Sequence, residues 1–358
     1  MALLFVESFD HYSANDLIGS GFGQKWSNVG GSGLVTMGPG RFNSGLQVSY
    51  AGSTIGFAFS KLISPQPTLI VGFAFKFATY PTSGTPALVV FADGATAQVE
   101  LRMSSTGVLS VTRAATALTS ATSGALALSL NTWYFIEFMA TIANSIPSNS
   151  CIARVNGIPW INVPAGQDTQ NTANATANNV SFLNLTSLGT AWTVGSSFYM
   201  IIDDIYILDG TGSAPTNTFL GDIRVECRFP NAVGTNTAWL PSAAPAYGCL
   251  SQPIPDGDSS YIYSSTTNDI STFPLPPLAS SPATIFGLQI THCSRKTEVS
   301  NRFVADVIRS GSTNYPGASV GLSTSYNFYT TIYPTDPATS APWTLTNANA
   351  VEVGIKQI

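Results

Sequence analysis

Between Leu69 and Phe77 an apolar side chain recurs at every second residue, with Leu69, Val71, Phe73, Phe75 and Phe77 on one face and Gly72, Ala74 and Ala78 on the other. A period of two is the repeat of an extended strand, and it excludes a helix over that stretch. The aromatic face predicts burial in a core, while the small-residue face predicts that something lies close against it. Gln98, Glu100 and Arg102 alternate with Val99, Leu101 and Met103, which reads as a half-exposed strand. Trp133 to Ile142 and Phe198 to Leu208 are apolar on both faces for much of their length and read as central strands. Clusters of Gly, Pro, Ser, Thr and Asn separate these runs, and heptads and long helical periodicity are absent. The predicted fold is all-β, built as two antiparallel, jelly-roll-like β-sandwich domains.

Two domains follow from size, since 358 residues divide into units of roughly 150–200 residues that can each bury a full core. The best break is 209–218, DGTGSAPTNT, which has almost nothing to bury. The expected organisation is therefore a first domain over 1–210, a linker over 211–218 and a second β-sandwich over 219–358. After the break, Ile223, Val225, Cys227 and Phe229 alternate with Asp222, Arg224, Glu226 and Arg228, which predicts a strand with one charged, wet face. Pro- and Ser-rich loops from Pro241 to Pro282 surround a short Tyr261–Tyr263 segment. Strand signals return at Ile285 to Cys293, Arg302 to Arg309, Tyr326 to Tyr333 and Val351 to Ile355.

Charged residues make up only 9% of the chain, against about 25% in ordinary domains. Neutral polar residues must therefore cover most of the surface. With 14 basic and 19 acidic residues and no basic cluster beyond Arg295-Lys296, the chain lacks the footprint of a nucleic-acid binder. The opening MALLFVESFDHY has no basic stretch and too short an apolar run for a secretory leader. No run approaches the roughly 20 apolar residues of a membrane span, so membrane insertion is not expected. Cys151, Cys227, Cys249 and Cys293 form no metal-binding spacing, and at most one disulfide among the last three is worth testing.

The first half resembles a laminin-G or concanavalin-A-like jelly roll of the type found in bacteriophage structural genes. The resemblance rests on Glu7-Ser8-Phe9-Asp10, Gly40-Arg41-Phe42-Asn43-Ser44-Gly45-Leu46, Trp133-Tyr134-Phe135-Ile136-Glu137, Arg154-Val155-Asn156-Gly157 and Ile202-Asp203-Asp204-Ile205-Tyr206. The second half, from Phe219-Leu220-Gly221-Asp222 to Val353-Gly354-Ile355-Lys356, looks like the tail of phage structural proteins that carry such a front. What the resemblance implies is a non-enzymatic virion protein, a capsid decoration or a tail- or fibre-associated subunit located in the particle. It would display a lectin-like domain and attach or oligomerise through its second domain.

Two other functions compete with that expectation. One is a carbohydrate-binding host-adhesion protein that recognises a surface glycan. The other is a glycan hydrolase, which needs two carboxylates about 5–5.5 Å or about 6.5–9.5 Å apart. None of the six glutamates lies within four residues of another, which argues against the strand-borne acid pair of hydrolytic relatives. Asp203-Asp204 is the adjacent acid pair, but strand neighbours point to opposite faces; one of the two is a calcium candidate by analogy with lectin-like domains. Asp256-Gly257-Asp258 is a second candidate for oxygen ligation of a cation but reads better as a plain turn. His292 shares a strand face with Phe286, Leu288 and Ile290 and reads as a packed core histidine. Tyr261 and Tyr263, and Tyr326, Tyr329 and Tyr333, are candidates for stacking on sugar rings. Only five lysines guard the sheet edges, so a homo-oligomer, a dimer or trimer, or contact with other virion proteins is expected.

Overall fold

The computed structural model describes residues 3–11, 25–30, 35–50, 58–120, 126–184 and 198–358. Its fold is all-β and antiparallel, as the alternating runs predict. The chain divides into two compact units: one of 1–9 and 26–225, the other of 10–25 and 226–358. The division falls at 225/226, so the 211–218 stretch and the seven residues after it belong to the first unit.

The first unit is a sandwich of two large sheets. Sheet I has eight strands and runs Ile158–Asn162, Cys151–Val155, Tyr134–Thr141, Thr68–Phe77, Phe198–Leu208, Ser44–Tyr50, Val35–Pro39, with Leu3–Glu7 also paired to Phe198–Leu208. Sheet II has seven strands and runs Thr116–Ser120, Leu109–Arg113, Thr96–Met103, Ala87–Asp93, Ala177–Asn184, Ala58–Gln66, Asn28–Gly30. Leu69, Val71, Phe73, Phe75 and Phe77 are all fully buried. Phe91 stacks on Phe138 at 5.1 Å and Phe73 meets Phe182 edge-on at 5.6 Å, so aromatic pairs join the inner faces of the sheets. Trp26 closes one part of this core against Phe5 and Phe59.

Gln98, Glu100 and Arg102 correct the sequence reading, because none is exposed. Glu100 accepts from Arg102 Nε at 2.8 Å and Nη2 at 2.7 Å, and Thr112 Oγ1 joins them at 3.0 Å. Gln98 is satisfied by the loop that crosses it, donating to Thr172 Oγ1, Asn174 O and Thr176 O. A polar face survives burial when every group is paired, and alternation alone does not distinguish that case from a wet face.

The second unit pairs a five-stranded sheet, Ile270–Pro274, Glu352–Gln357, Phe303–Ser310, Thr313–Pro316 with Val320–Gly321, with the ribbon Leu288–Ser294 and Asn327–Tyr333. Its core is Ile308, Tyr333, Trp343, Ala348 and Val351, with Leu288, Ile290 and Val353 packed against it. Leu345–Ala350 forms a short helix that Thr344 caps by accepting from Asn347 N.

The expected strand 222–229 does not form. Two of its charged side chains bond backbone groups elsewhere in their unit. Glu226 accepts from Ala279 N and Ser280 N, and Arg228 donates to Pro276 O and Ala348 O. All four cysteines are free thiols, and burial pushes the Cys151 thiol up to about 12.

Candidate functional site

The outer face of sheet I carries a buried polar cluster. Glu137, at the middle of Tyr134–Thr141, lies opposite Gly72 on one neighbouring strand and Arg154 on the other. Tyr206 also lies opposite Gly72. A side chain at position 72 would place Cβ 2.1 Å from Tyr206 Cε1 and 2.9 Å from Phe135 Cε1, so glycine is what lets the tyrosine ring lie against the sheet. This is the close neighbour that the small-residue face implied. Tyr206 Oη donates to Glu137 Oε1 at 2.5 Å. Burial, then the charge of Glu137 and its hydrogen bond, hold the phenol well above the usual tyrosine range, so it keeps its proton.

Two buried polar atoms in this cluster, Glu137 Oε2 and Arg154 Nε, have no hydrogen bond from the described residues. They belong to directly opposed cross-strand residues and share a sheet face. One is an acceptor and the other a donor, the pair of contacts that a single hydroxyl group makes.

Asp203 and Asp204 stand at a gap in the ladder. Residues 198–202 of their strand pair with Ser44–Tyr50 and residues 205–208 with Leu3–Glu7, and the register with Thr68–Phe77 slips between Asp203 and Tyr206. Asp204 adopts a left-handed backbone with φ 51°. The slip breaks strict alternation, and both carboxyls reach the 41–42 turn or Arg41 itself. This corrects the expectation that they face opposite sides.

Asp203 Oδ2 accepts from Arg41 N at 2.8 Å and Phe42 N at 3.4 Å, while its Oδ1 accepts from Asp204 N at 2.8 Å. Asp204 Oδ1 accepts from Val225 N at 2.7 Å, and its Oδ2 lies 3.7 Å from Arg41 Nη1. Burial, then the neighbouring Asp204 charge, push the Asp203 carboxyl up to about 8 against the opposing N–H donors. What the two calcium candidates meet is therefore N–H donors and a guanidinium. Among the described residues no three or more His, Cys, Asp or Glu side chains group to hold a metal.

The segment 219–225 lies over this face. Gly221 N donates to Glu137 Oε1 at 2.8 Å and Leu220 N to Tyr206 Oη at 3.2 Å. Arg41 pairs with Asp222 at 2.5 Å and donates to Ile223 O at 3.2 Å. Phe219 lies under the Arg154 guanidinium at 4.2 Å, and Phe42 under Arg224 at 4.3 Å.

The tyrosine candidates all lie in the second unit and do not form one platform. Tyr261 and Tyr263 are 39% and 49% exposed with rings tilted 56° apart at 6.0 Å, whereas Tyr333 is buried beside Trp343. Tyr326 donates to Asp258, which Arg295 also binds, and Asp256 holds Ser260; the 256–258 segment is a tethered turn. Tyr329 stacks on His292 at 5.3 Å. His292 is paired as well as packed, with Nδ1 2.7 Å from the buried Asp306 Oδ1.

No family model and no curated protein matches the chain. Among solved structures the chain is similar to "Cellulose induced protein, Cip1", at 13% identity and TM-score 0.39 over 57% of this chain and 96% of that one. It is also similar to alginate lyase Aly36B, at 12% identity and TM-score 0.37 over 58% and 95%. A Trypanosoma rangeli sialidase follows at 11% identity and TM-score 0.34 over 49% and 27%. The named structures are a cellulose-induced protein, a lyase and a sialidase rather than phage proteins, and here the comparisons part from the expected non-enzymatic phage virion component. At these identities the likeness concerns the fold; the chemistry has to come from this chain's own residues.

Proposed function

We propose that the first unit recognises a glycan on the outer face of sheet I and presents it with a proton-transfer pair, Tyr206 and Glu137. The observation that carries this reading is the opposed orphan atoms, Glu137 Oε2 and Arg154 Nε, beside a phenol held 2.5 Å from the same carboxyl. A sugar hydroxyl donates to one orphan and accepts from the other, satisfying two buried groups that otherwise cost about 1–3 kcal/mol each. Tyr206 keeps its proton and can donate it to an oxygen on the ligand, with Glu137 holding the phenol in place. Arg41 over Phe42 and Phe135, and the Arg154 guanidinium, add cationic and aromatic groups that suit the edges and faces of sugar rings.

The test is binding and turnover of the full chain on a panel of neutral and uronic-acid polysaccharides. Glu137→Gln should abolish binding. Tyr206→Phe should retain binding and lose about 10²–10⁴-fold in any turnover. A panel on which wild type and Glu137→Gln behave alike would overturn the reading.

A further inference from the structure

Gly221 N donates to Glu137 Oε1 and Phe219 lies against the Arg154 guanidinium, so the 219–225 segment already contacts both residues whose orphan atoms a ligand would bond. We infer that 219–225 is a built-in cover of the sheet I site, occupying it in place of a ligand and opening by lifting away; this rests on the functional reading above.

The attachment of the segment is of a kind suited to release. It forms no ladder, and its backbone meets the sheet through single contacts at Tyr206, Glu137, Asp204 and Arg41. Leu220 N and Gly221 N donate to Tyr206 Oη and Glu137 Oε1, groups of the proposed site. The cover's ion pair is made by Asp222, whose side chain is 50% exposed, so water and salt weaken it. Its apolar anchor is Phe219, 8% exposed against the Arg154 guanidinium, where ligand hydroxyl or carboxylate oxygens can bond the cation instead.

Gly221 decides whether the cover closes. Its φ of +80° aims the amide at Glu137, a backbone region that a β-branched residue rarely adopts, and a Cβ there meets nothing within 4 Å. Gly221→Val therefore strains the closed segment without colliding with the sheet. Asp222→Ala removes the Arg41 pair by a different route and needs no backbone change.

The experiment follows amide exchange in 219–225 and the affinity for two soluble probes, a β-1,4-glucan tetrasaccharide and a β-1,4-linked oligouronate tetrasaccharide. It uses the full wild-type chain, Gly221→Val, Asp222→Ala and Glu137→Gln. A cover predicts faster exchange in both cover variants, about tenfold tighter binding of one probe, and faster exchange in wild type once that probe is added. Faster exchange in the variants with unchanged affinity, while Glu137→Gln still abolishes binding, would overturn the cover and leave the site standing. Absence of binding even with the segment released, or equal binding by Glu137→Gln, would overturn both.

Discussion

Asp203 in the first unit and Asp336 and Glu352 in the second answer burial in opposite ways. In the first, Asp203 sits at a gap in a large sheet beside a second acid, and burial and that neighbour raise its proton affinity. In the second, burial also opposes charge on Asp336 and Glu352, but hydrogen bonds outweigh it. Ser310, Ala338 N and Asn347 surround Asp336, while Thr272 and Thr235 surround Glu352, and both acids lie below the usual carboxyl range. The difference teaches what each acid does for its unit. Asp336 ties Phe303–Ser310 to the helix Leu345–Ala350 and serves as a structural strut, whereas Asp203 orients the 41–42 turn, whose Arg41 holds the cover.

The largest expected break in this comparison is Trp343→Ala. The ring fills the small core of the second unit and its Nε1 donates to Tyr333 O at 2.9 Å, so truncation should cost about 3–5 kcal/mol and orphan a buried carbonyl. Exchange protection in Phe303–Ser310 should collapse while that in Thr68–Phe77 stays. Equal loss in both strands would show that the units do not fold separately.

A second break uses pH, with a sign that differs between the units. The folded Asp203 carboxyl titrates near 8 against about 3.9 when unfolded, so its contribution is fully present below pH 4 and is lost as pH rises toward 8. Asp203→Asn should flatten that loss. Denaturant melts of the first unit between pH 4 and 8 check this; a stability that rises over that window would refute the assignment. Asp336 and Glu352, with depressed values, give stability above about pH 4 that disappears as the pH falls further. The second unit should therefore melt first in acid.

Gly72→Ala sharpens the comparison at the site itself. The added Cβ displaces Tyr206 and should cost about 1–3 kcal/mol through overpacking, together with glycan binding. A stable variant that still binds would mean Tyr206 is not positioned by Gly72. The smallest effect is Asp336→Asn, about 1 kcal/mol at neutral pH, because the amide keeps one acceptor for Ser310 but opposes Asn347 with a second donor. Thermal melts at pH 7 and pH 2 check it: the deficit at pH 7 should shrink at pH 2, where the folded carboxyl is protonated.

Parts of this architecture are legible along the chain and parts are not, for identifiable reasons. The alternation of Leu69 to Phe77 reads directly, because face assignment is a local property of extended backbone. Gly72 also signals a close neighbour, although nothing local says that the neighbour is Tyr206. Glu100 and Arg102 mislead, since a fully paired buried face and a wet face share one pattern. Asp203 and Asp204 mislead differently, because one register slip undoes the alternation on which their separation was argued. The run from Asp222 to Phe229 has a strand's spacing without a partner strand, so its polar groups bond elsewhere.

The sequence by itself determined the all-β class and the buried aromatic face of Leu69–Phe77, since both follow from period-two spacing and turn residues within a few positions. The tertiary structure alone decided what meets on the outer face of sheet I. Tyr206 and Glu137 are 69 residues apart, and Gly221 and Glu137 are 84 apart. Such meetings depend on the order of strands in the sheet and on the path of the chain after its last strand. Local spacing carries neither, because every antiparallel order of the same strands satisfies the same alternation.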